Sequence, residues 1–219
     1  MTPRRFAVLV MANSFSTTAL VLRKTKLAET DLILTLLAAD GSQLRAVAKG
    51  GRKPGSKLCG IAEPFVVFDG LFHLGKNLDV IREAKVVAAH YPLRSDYDRA
   101  QSASIVVDVL SRASEQGEPV PRLYALSAAT LDVLDSAPIA RLPLVVDAFL
   151  LKAMAMLGYS PQFELCGRDE RLLALFNARL TDVPGLAIQN RSMDVLTRKI
   201  ARFIDRNLPA HVRTLDAWR

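Results

Sequence analysis

The spacing of apolar residues changes near residue 90, and this change limits the possible folds more than any other feature of the chain. From Thr18 to Val87, apolar residues form short runs separated by turn-forming residues, a pattern typical of β-strands. After Tyr91 and Pro92 they recur every three or four residues, as they do on amphipathic helices. The sequence therefore predicts an α+β protein in which the strands precede the helices.

The first part of the chain carries the patterns of five strands. Asp40 and Gly41 indicate a tight hairpin turn, because they adopt the positive φ angles that such turns require. The predicted strands are Thr18–Arg23, Asp31–Ala38, Gln43–Lys49, a fourth between Glu63 and Leu74 that bends at Gly70, and Leu78–Val87. Five strands in about 70 residues match the size of a small Greek-key barrel, so we expect an OB-fold.

The predicted strand Gln43–Lys49 has two chemically different faces. Alternate side chains of a strand point to opposite sides of the sheet. One face therefore carries Leu44, Ala46 and Ala48, and the other carries Arg45, Val47 and Lys49. The first suits the interior of a small barrel, and the second projects positive charge.

The second part of the chain is predicted to be helical. The helices and their apolar positions are Tyr97–Ala113 (Ala100, Ala103, Ser104, Val107, Leu110), Leu123–Leu134 (Leu123, Leu126, Ala129, Thr130, Val133), Ile139–Leu157, Asp169–Arg179 and Ser192–Asn207 (Val195, Ile200, Phe203, Ile204). Ser192 is a candidate N-cap for the last of them. The helix from Ile139 is apolar around most of its circumference, which predicts a central, buried position.

These patterns divide the chain into segments. We expect an N-terminal extension over residues 1–17, an OB-fold nucleic-acid-binding domain over 18–87, and a helical domain over 88–219. The helical domain contains a small loop-rich insertion at about 159–191, where Gly167, Pro184 and Gly185 interrupt the helical pattern.

The positive charge of the chain is concentrated in its first part. The formal net charge is +7; residues 1–85 carry 13 basic and 7 acidic side chains, whereas residues 86–219 carry 16 and 15. Such an asymmetry indicates a module that binds a polyanion, joined to a more neutral module.

A basic, glycine-rich segment from Arg45 to Lys57 gives the strongest local signal. It holds five basic residues, three glycines and no acidic residue. Glycines let the backbone approach phosphates closely, and the cations neutralise them and release counterions. With the cations at the end of the first strand, the predicted DNA-binding track is Arg23, Lys24, Lys26, Arg45, Lys49, Arg52, Lys53 and Lys57. The alternative is a solvated loop whose charges serve solubility alone.

Aromatic residues that could stack on bases are few in the basic module. The candidates are Phe65, Phe68 and Phe72, but aromatics within an apolar strand are more often core residues. The sequence therefore favours binding to the sugar-phosphate backbone with little dependence on base sequence.

No recognisable catalytic pattern is present, so we expect a protein that is not an enzyme and needs no cofactor. His73, His90 and His211 lie near neither a cysteine nor a paired carboxylate in sequence, and the chain has no Walker or Gly-x-Gly-x-x-Gly motif. Cys59 and Cys166 are too few for a disulfide framework, which favours a reducing, cytoplasmic location. No run approaches the roughly 20 apolar residues that span a bilayer, so no membrane association is expected.

Two motifs in the basic module resemble the N-terminal domain of the RecO family. They are Glu29-Thr-Asp31 within the stretch Leu20–Leu37, and Ala48-Lys-Gly-Gly-Arg-Lys-Pro-Gly-Ser56, followed by Glu63-Pro-Phe65. The resemblance continues more weakly through Leu157-Gly-Tyr-Ser-Pro161 and Phe203–Leu215, and so covers nearly the whole chain after Thr18.

The resemblance implies a mediator of DNA repair and recombination. Such a protein binds single- and double-stranded DNA, anneals strands coated with single-strand binding protein, and works with RecR to load the RecA recombinase. Many members carry a four-cysteine zinc module after the Gly-Tyr-x-Pro element. Here only Cys166 is present, and Gly167–Glu170 stands where the second cysteine would lie. Because structural zinc needs four ligands, we expect a degenerate zinc-finger-like region that holds no metal.

The resemblance also implies a groove in the helical domain for the acidic, apolar C-terminal tail of single-strand binding protein. The best local candidate is a stretch with a cation at each end: Arg141, Leu142, Leu144, Val145, Phe149 and Lys152. The alternative is that its apolar residues are core. Two other functions stay open at this point: an OB-fold accessory factor that binds RNA, and an enzyme acting on nucleic acid.

Overall fold

The protein is described from a computed structural model that covers residues 13–114, 118–188, 190–208 and 211–218. The strands are β1 (Ser14–Lys26), β2 (Leu32–Ala38), β3 (Gln43–Ala48), β4 (Val67–His73) and β5 (Asp79–Ala88). The α-helices are α1 (Pro92–Ser95), α2 (Tyr97–Ala113), α3 (Leu123–Ser136), α4 (Leu142–Met156), α5 (Pro161–Glu164), α6 (Glu170–Asn177) and α7 (Asn190–Asn207). Short 3-10 helices cover Ile139–Arg141, Cys166–Arg168, Leu180–Gly185 and Arg213–Trp218. The predicted order of strands before helices is confirmed.

The strands pair in the order β1-β2-β3-β5-β4, and β4 pairs again with β1 to close the sheet. All pairs are antiparallel except β3 with β5. This is the five-stranded arrangement of the OB-fold. Residues 14–17, which were expected to precede the domain, belong to β1 and pair with β4; residues 1–12 of the expected extension lie outside the described residues.

Alternation along the strands fills the barrel with apolar side chains. Leu44, Ala46 and Ala48 of β3 point inward, as predicted, and pack with the inward residues of β2. Phe68 and Phe72 fill the other side, where Gly70 lies between them on the same face. A Cβ atom at Gly70 would lie 2.6 Å from the Phe72 ring and 2.8 Å from the Phe68 ring. Gly70 therefore gives room to two rings inside one continuous strand.

A β-bulge at Leu22 divides β1 into two parts. Val21 pairs with Leu36 of β2, Arg23 pairs with Thr35, and Leu22 between them has no partner in β2. A bulge inserts one extra residue into a strand and so reverses the facing of everything after it. Val21 points into the barrel, and Arg23 consequently points outward with Thr35.

The hairpin between β2 and β3 closes on the predicted Asp-Gly turn. The Asp40 carboxylate accepts hydrogen bonds from the backbone N–H and the hydroxyl of Ser42, at 2.9 and 2.7 Å. Gly41 has a φ of +83°, and a Cβ there would lie 1.9 Å from the Val120 carbonyl oxygen. Only glycine therefore fits this position.

The chain divides into two compact units. One contains the barrel up to His90 together with the segment Ser114–Tyr124, and the other contains Tyr91–Ala113 and the chain from Ala125 onward. In the first unit, the Gln43 amide donates to the Ser114 carbonyl oxygen at 3.0 Å. The sequence predicted that this segment belongs to the helical domain. Its assignment to the barrel unit depends on tertiary contacts, which a sequence pattern does not reveal.

The helical unit is built around α4, which is buried along nearly its whole length, as predicted. Asp147 of α4 is fully buried and accepts a hydrogen bond at 2.8 Å from the Thr197 hydroxyl of α7. The Arg99 guanidinium of α2 donates to the Leu134 and Ala137 carbonyl oxygens at the end of α3. These polar contacts fix the neighbouring helices around an apolar centre.

Several details of the helical prediction are wrong. Ala129 was placed on an apolar stripe but is exposed, because the buried residues of α3 follow a neighbouring stripe through Ser127, Leu131 and Leu134. Val195, one of the apolar residues named for the last helix, is also exposed, whereas Ile200, Phe203 and Ile204 are buried. The region 159–191 contains α5, α6 and two of the 3-10 helices in addition to its loops. Helix α7 begins at Asn190, two residues before Ser192, whose side chain lies outside the described residues.

Candidate nucleic-acid interface

The structure exposes every cation of the predicted track. The eight side chains lie on β1, on β3 and on the loop that follows β3, and each is solvent-exposed: Arg23, Lys24, Lys26, Arg45, Lys49, Arg52, Lys53 and Lys57. They differ, however, in the direction they face and in the partners they hold.

Arg23 and Arg45 form a pair on the outer face of the barrel. Both lie opposite Thr35 of β2, one from β1 and the other from β3. Directly paired residues point to the same side of a sheet, and two strand spacings separate the backbones of the arginines by about 10 Å. The bulge at Leu22 creates this pair, because it turns Arg23 outward.

Lys24 and Lys26 lie on the other face of the β1–β2 ribbon. They pair with Leu34 and Leu32, which point into the barrel, yet both lysine side chains are exposed to solvent. The Lys24 ammonium also forms a 2.5 Å ion pair with Glu63. The prediction of one continuous track is therefore wrong for these two lysines, since neither shares a face with Arg23.

The loop between β3 and β4 is a chain of tight turns. Backbone N–H groups of Lys53, Ser56 and Cys59 each donate to the carbonyl oxygen three residues earlier, at 2.9–3.0 Å. At its far end, Ile61 and Ala62 are buried in the barrel core. The basic loop is thus an ordered projection anchored at both ends.

Arg52 holds this loop to the turn between β1 and β2. Its guanidinium donates to the carbonyl oxygens of Ala28 and Glu29, at 3.3 and 2.7 Å, and its backbone N–H donates to the Thr30 carbonyl oxygen at 2.9 Å. The Asp31 carboxylate accepts from the backbone N–H of Gly50 at 2.8 Å. We call these contacts the loop clamp.

The loop clamp changes the role predicted for Arg52. A guanidinium engaged with two carbonyl oxygens has fewer donors left for a phosphate. Sequence reasoning also missed Asp31, although both clamp residues lie in the two motifs that carry the family resemblance. The co-occurrence of an acidic residue after β1 and an arginine after a Gly-Gly pair was the available signal.

The ammonium groups of Lys49, Lys53 and Lys57 face solvent, and unlike the Arg52 guanidinium they form neither a hydrogen bond nor an ion pair with any described residue. They recur every four residues along a loop whose turns hold them in place. Together with the Arg23–Arg45 pair, they form what we call the basic surface: Arg23, Arg45, Lys49, Lys53 and Lys57.

The aromatic candidates for base stacking are core residues. Phe68 and Phe72 are fully buried, Phe65 is 6% exposed, and Phe72 stacks on Phe15 with ring centroids 5.2 Å apart. The interpretation that the sequence favoured for these aromatics is confirmed. The basic surface itself offers charge and hydrogen-bond donors, which suit a sugar-phosphate backbone.

The predicted groove on α4 is not open. Its apolar members Leu142, Leu144, Val145 and Phe149 are buried, so they form core and cannot receive a peptide. The Arg141 guanidinium donates to the Ile188 carbonyl oxygen at 2.9 Å.

Lys152, the other cation of that groove, also has a structural partner. Its ammonium donates to the Phe176 carbonyl oxygen at the end of α6 and lies 5.7 Å from the centroid of the Phe176 ring. Burial lowers the pKa of Lys152. Arg141 therefore holds the start of α4 to the segment before α7, and Lys152 holds α4 to α6, roles that a one-dimensional pattern does not distinguish from peptide binding.

Among the described residues, no three histidine, cysteine or acidic side chains come together as a metal site. Cys166 is buried. Burial raises the pKa of its thiol, and the negative charge of the nearby Asp169 raises this pKa further. His73 contacts the Ser14 hydroxyl at 3.3 Å, and His211 lies between Asp205 and Asp216 at 3.3 and 2.8 Å. No helix in the described part of the chain is long and apolar enough to cross a membrane.

The chain thus combines an N-terminal five-stranded OB-type barrel, which carries an exposed basic surface, with a C-terminal helical unit. This domain order and surface define a class of OB-fold proteins with a helical C-terminal domain. The chain matches the family model for the N-terminal part of recombination protein O over residues 11–90, and the model for its C-terminal part over 94–180. It is similar to the DNA repair protein RecO of two Bifidobacterium longum strains, DJO10A and NCC 2705. Each is 32% identical over 201 residues, covering 88% of this chain and 80% of the relative. The chain belongs to the RecO family of DNA repair proteins.

Proposed function

We propose that this protein is a recombination mediator that binds single- and double-stranded DNA through the basic surface and anneals complementary strands. The observation that carries the proposal is a set of exposed cations on an OB-type barrel, in a chain of the RecO family, that form no ion pair with any described residue. Exposed cations neutralise phosphates and release counterions, which drives binding to any sequence.

The hydrogen bonds within and beside the basic loop support this function. The loop clamp and the turn hydrogen bonds fix Lys49, Lys53 and Lys57 before DNA arrives, so less conformational freedom is lost on binding. Because the nearby aromatic rings are buried, the bases of a bound strand stay available for pairing with a second strand. Backbone binding of this kind suits annealing, which requires exposed bases.

The proposal extends to partners. We infer cooperation with RecR and single-strand binding protein, and indirect loading of RecA, by analogy with the family. The tail of single-strand binding protein would bind outside the buried stretch of α4. We also propose a cytoplasmic, non-enzymatic protein, since the described histidines and carboxylates form no arrangement of nucleophile and base.

A strand-annealing assay tests the mediator function. The purified protein should accelerate pairing of complementary DNA strands, both bare and coated with single-strand binding protein, without changing their length. Equal or greater acceleration with RNA strands of the same sequence would favour the RNA-binding alternative. No acceleration of either nucleic acid, or cleavage of labelled DNA on addition of Mg²⁺, would contradict the proposal.

A further inference from the structure

The C-terminal helix α7 carries a second concentration of positive charge, in the unit whose sequence is nearly neutral. Its exposed face presents Arg198, Lys199, Arg202 and Arg206, whereas Ile200, Phe203 and Ile204 on the opposite side are buried. Helix α7 begins after the residues matched by the family models, which end at 180.

Arg198, Arg202 and Arg206 form a regular row. They are spaced four residues apart, which places successive cations on neighbouring turns, about 6 Å apart along the helix axis. We call these three residues the α7 row. A row of evenly spaced cations matches a chain of evenly spaced phosphates better than it matches a single anion.

The α7 row is not used for internal ion pairs among the described residues. Arg198 and Arg206 each donate through Nε to the carbonyl oxygen one turn earlier in their own helix, at 3.1 and 3.3 Å. This contact orients the side chain and leaves the terminal Nη groups for another partner. Lys199 differs, because its ammonium forms a 3.0 Å ion pair with Asp169.

An open groove of about 480 Å³ runs beside this face. Its lining consists of Leu165, Lys199, Arg202, Asp205 and Arg206. The Asp205 carboxylate faces His211 at 3.3 Å, and the lining contains a single apolar residue. Four of the five lining residues are charged and three of these are cations, so the groove carries a net positive charge and suits an anionic ligand.

We propose that the α7 row binds the phosphate backbone of a second nucleic-acid strand, separately from the strand held on the barrel. Guanidinium groups suit this task because each can donate two parallel hydrogen bonds to one phosphate. The ligand class rests on the proposed function, and the consequence goes beyond it: a single chain holds two strands at once, which raises their effective concentration for pairing.

The test is a bridging measurement with oligo-dT, which cannot pair with itself. One oligo-dT carries a fluorescence donor and another an acceptor, and energy transfer reports that one protein holds both. The test variant is R198A/R202A/R206A, and R198K/R202K/R206K keeps the charge. Alanine at exposed helical positions preserves folding, which thermal unfolding checks; the single variant R202A applies if the triple variant unfolds.

The alanine triple variant should lose energy transfer yet still bind one oligo-dT on the barrel. The slope of log affinity against log salt for total binding should fall by about 2. The lysine triple variant should retain most of the bridging. Unchanged bridging and an unchanged slope in the alanine variant would overturn the proposal. A second result would also overturn it: an Asp-rich peptide binds the parent but not the alanine variant, while bridging is the same in both. The exposed face of α7 would then bind an acidic protein segment.

The same assay separates this proposal from the function of the barrel. The variant K49A/K53A/K57A removes cations from the basic surface and leaves α7 unchanged. If that variant bridges two oligo-dT strands as the parent does while the α7 variant loses bridging, the barrel proposal fails and strand binding by the α7 row stands. If that variant binds no oligo-dT, the α7 row does not hold a strand by itself, so the α7 proposal fails and the barrel proposal stands.

Discussion

Arg23 and Arg45 lie on either side of Thr35, in one row across the outer face of the barrel, although they come from strands that do not pair with each other. The row exists because β2 lies between β1 and β3 and because the bulge at Leu22 turns Arg23 outward. With Lys49, Lys53 and Lys57 on the adjoining loop, this row gives the barrel a cationic surface built from strand and loop.

Replacing Lys49, Lys53 and Lys57 together with alanine should weaken DNA binding equally for unrelated sequences. Each lost phosphate contact releases fewer counterions, so the slope of log affinity against log salt should fall by about 2. Titrations at several salt concentrations measure this slope. The matched control is the triple arginine variant, which keeps the charge; an unchanged slope in the alanine variant would remove these lysines from the interface.

Breaking the loop clamp should affect DNA binding indirectly. Arg52→Ala removes two hydrogen bonds to the turn between β1 and β2, which should lower the free energy of unfolding by about 1 kcal/mol. The loop should also become more mobile, and hydrogen exchange of the Lys53 and Ser56 amides should accelerate. Asp31→Asn keeps an acceptor for the Gly50 N–H and serves as the mild comparison for Asp31→Ala. If Arg52→Ala instead weakens DNA binding while the exchange rates of the Lys53 and Ser56 amides stay unchanged, Arg52 contacts a phosphate directly.

A methyl group at Gly70 should destabilise the barrel. In Gly70→Ala the added Cβ lies 2.6–2.9 Å from atoms of the Phe68 and Phe72 rings, which must then shift within a filled core. We expect a loss of about 1–3 kcal/mol in the free energy of unfolding, measured by denaturant titration. Gly185→Ala is the comparison, because nothing lies near a Cβ there. Equal stability of the two variants would show that the rings relax freely.

The stability of the region around α6 should depend on pH through Asp169. Hydrogen bonds from Arg171, and then from Lys199, hold the pKa of this carboxyl well below its usual range. A depressed pKa contributes stability above the unfolded pKa of about 4, and that stability disappears as pH falls below it. Asp169→Asn should therefore lower Tm at neutral pH but have a shrinking effect on acidification. Because the variant keeps an N-cap acceptor for α6, a Tm difference that is equal at all pH values would contradict an origin in the Asp169 charge.

The two cysteines should differ in reactivity, and neither should hold zinc. Burial raises the pKa of the Cys166 thiol, and the thiolate is the reactive form. Cys59 is only half-buried. In the folded protein, mass spectrometry should find Cys59 alkylated well before Cys166.

Elemental analysis should find no stoichiometric zinc, and a chelator should leave thermal unfolding unchanged; one zinc per chain would contradict both the sequence and the packing around Cys166.

The sequence predicted features that depend on neighbours along the chain. The hairpin Leu32–Ala38 with Gln43–Ala48 follows from alternation and an Asp-Gly turn, and the burial of α4 follows from its apolar circumference. The loop clamp was missed, because the predicted hairpin brings Asp31 near Gly50 but does not show which side chain of the basic loop returns to the turn between β1 and β2. The role of Leu144 was ambiguous for a related reason: a groove and a core require the same apolar residues, and packing alone distinguishes them.

The cations of β1 show a different limit. Strict alternation from Val21 would place Arg23 inside the barrel and Lys24 outside, the reverse of what the bulge produces. The one residue without a partner in β2, Leu22, therefore determines which way the following side chains face, and alternation alone does not predict it.

The bulge at Leu22 also determines which length changes this strand can accept in evolution. Deleting Leu22 would join Val21 directly to Arg23 and leave every later residue opposite its present partner in β2, at the cost of one buried side chain. Deleting Thr25 would instead move each residue between the deletion and the nearer end of the strand to the opposite face of the sheet. Relatives that differ by one residue within β1 should therefore carry their gap at this bulge, and sequence alignments of the family should place it there.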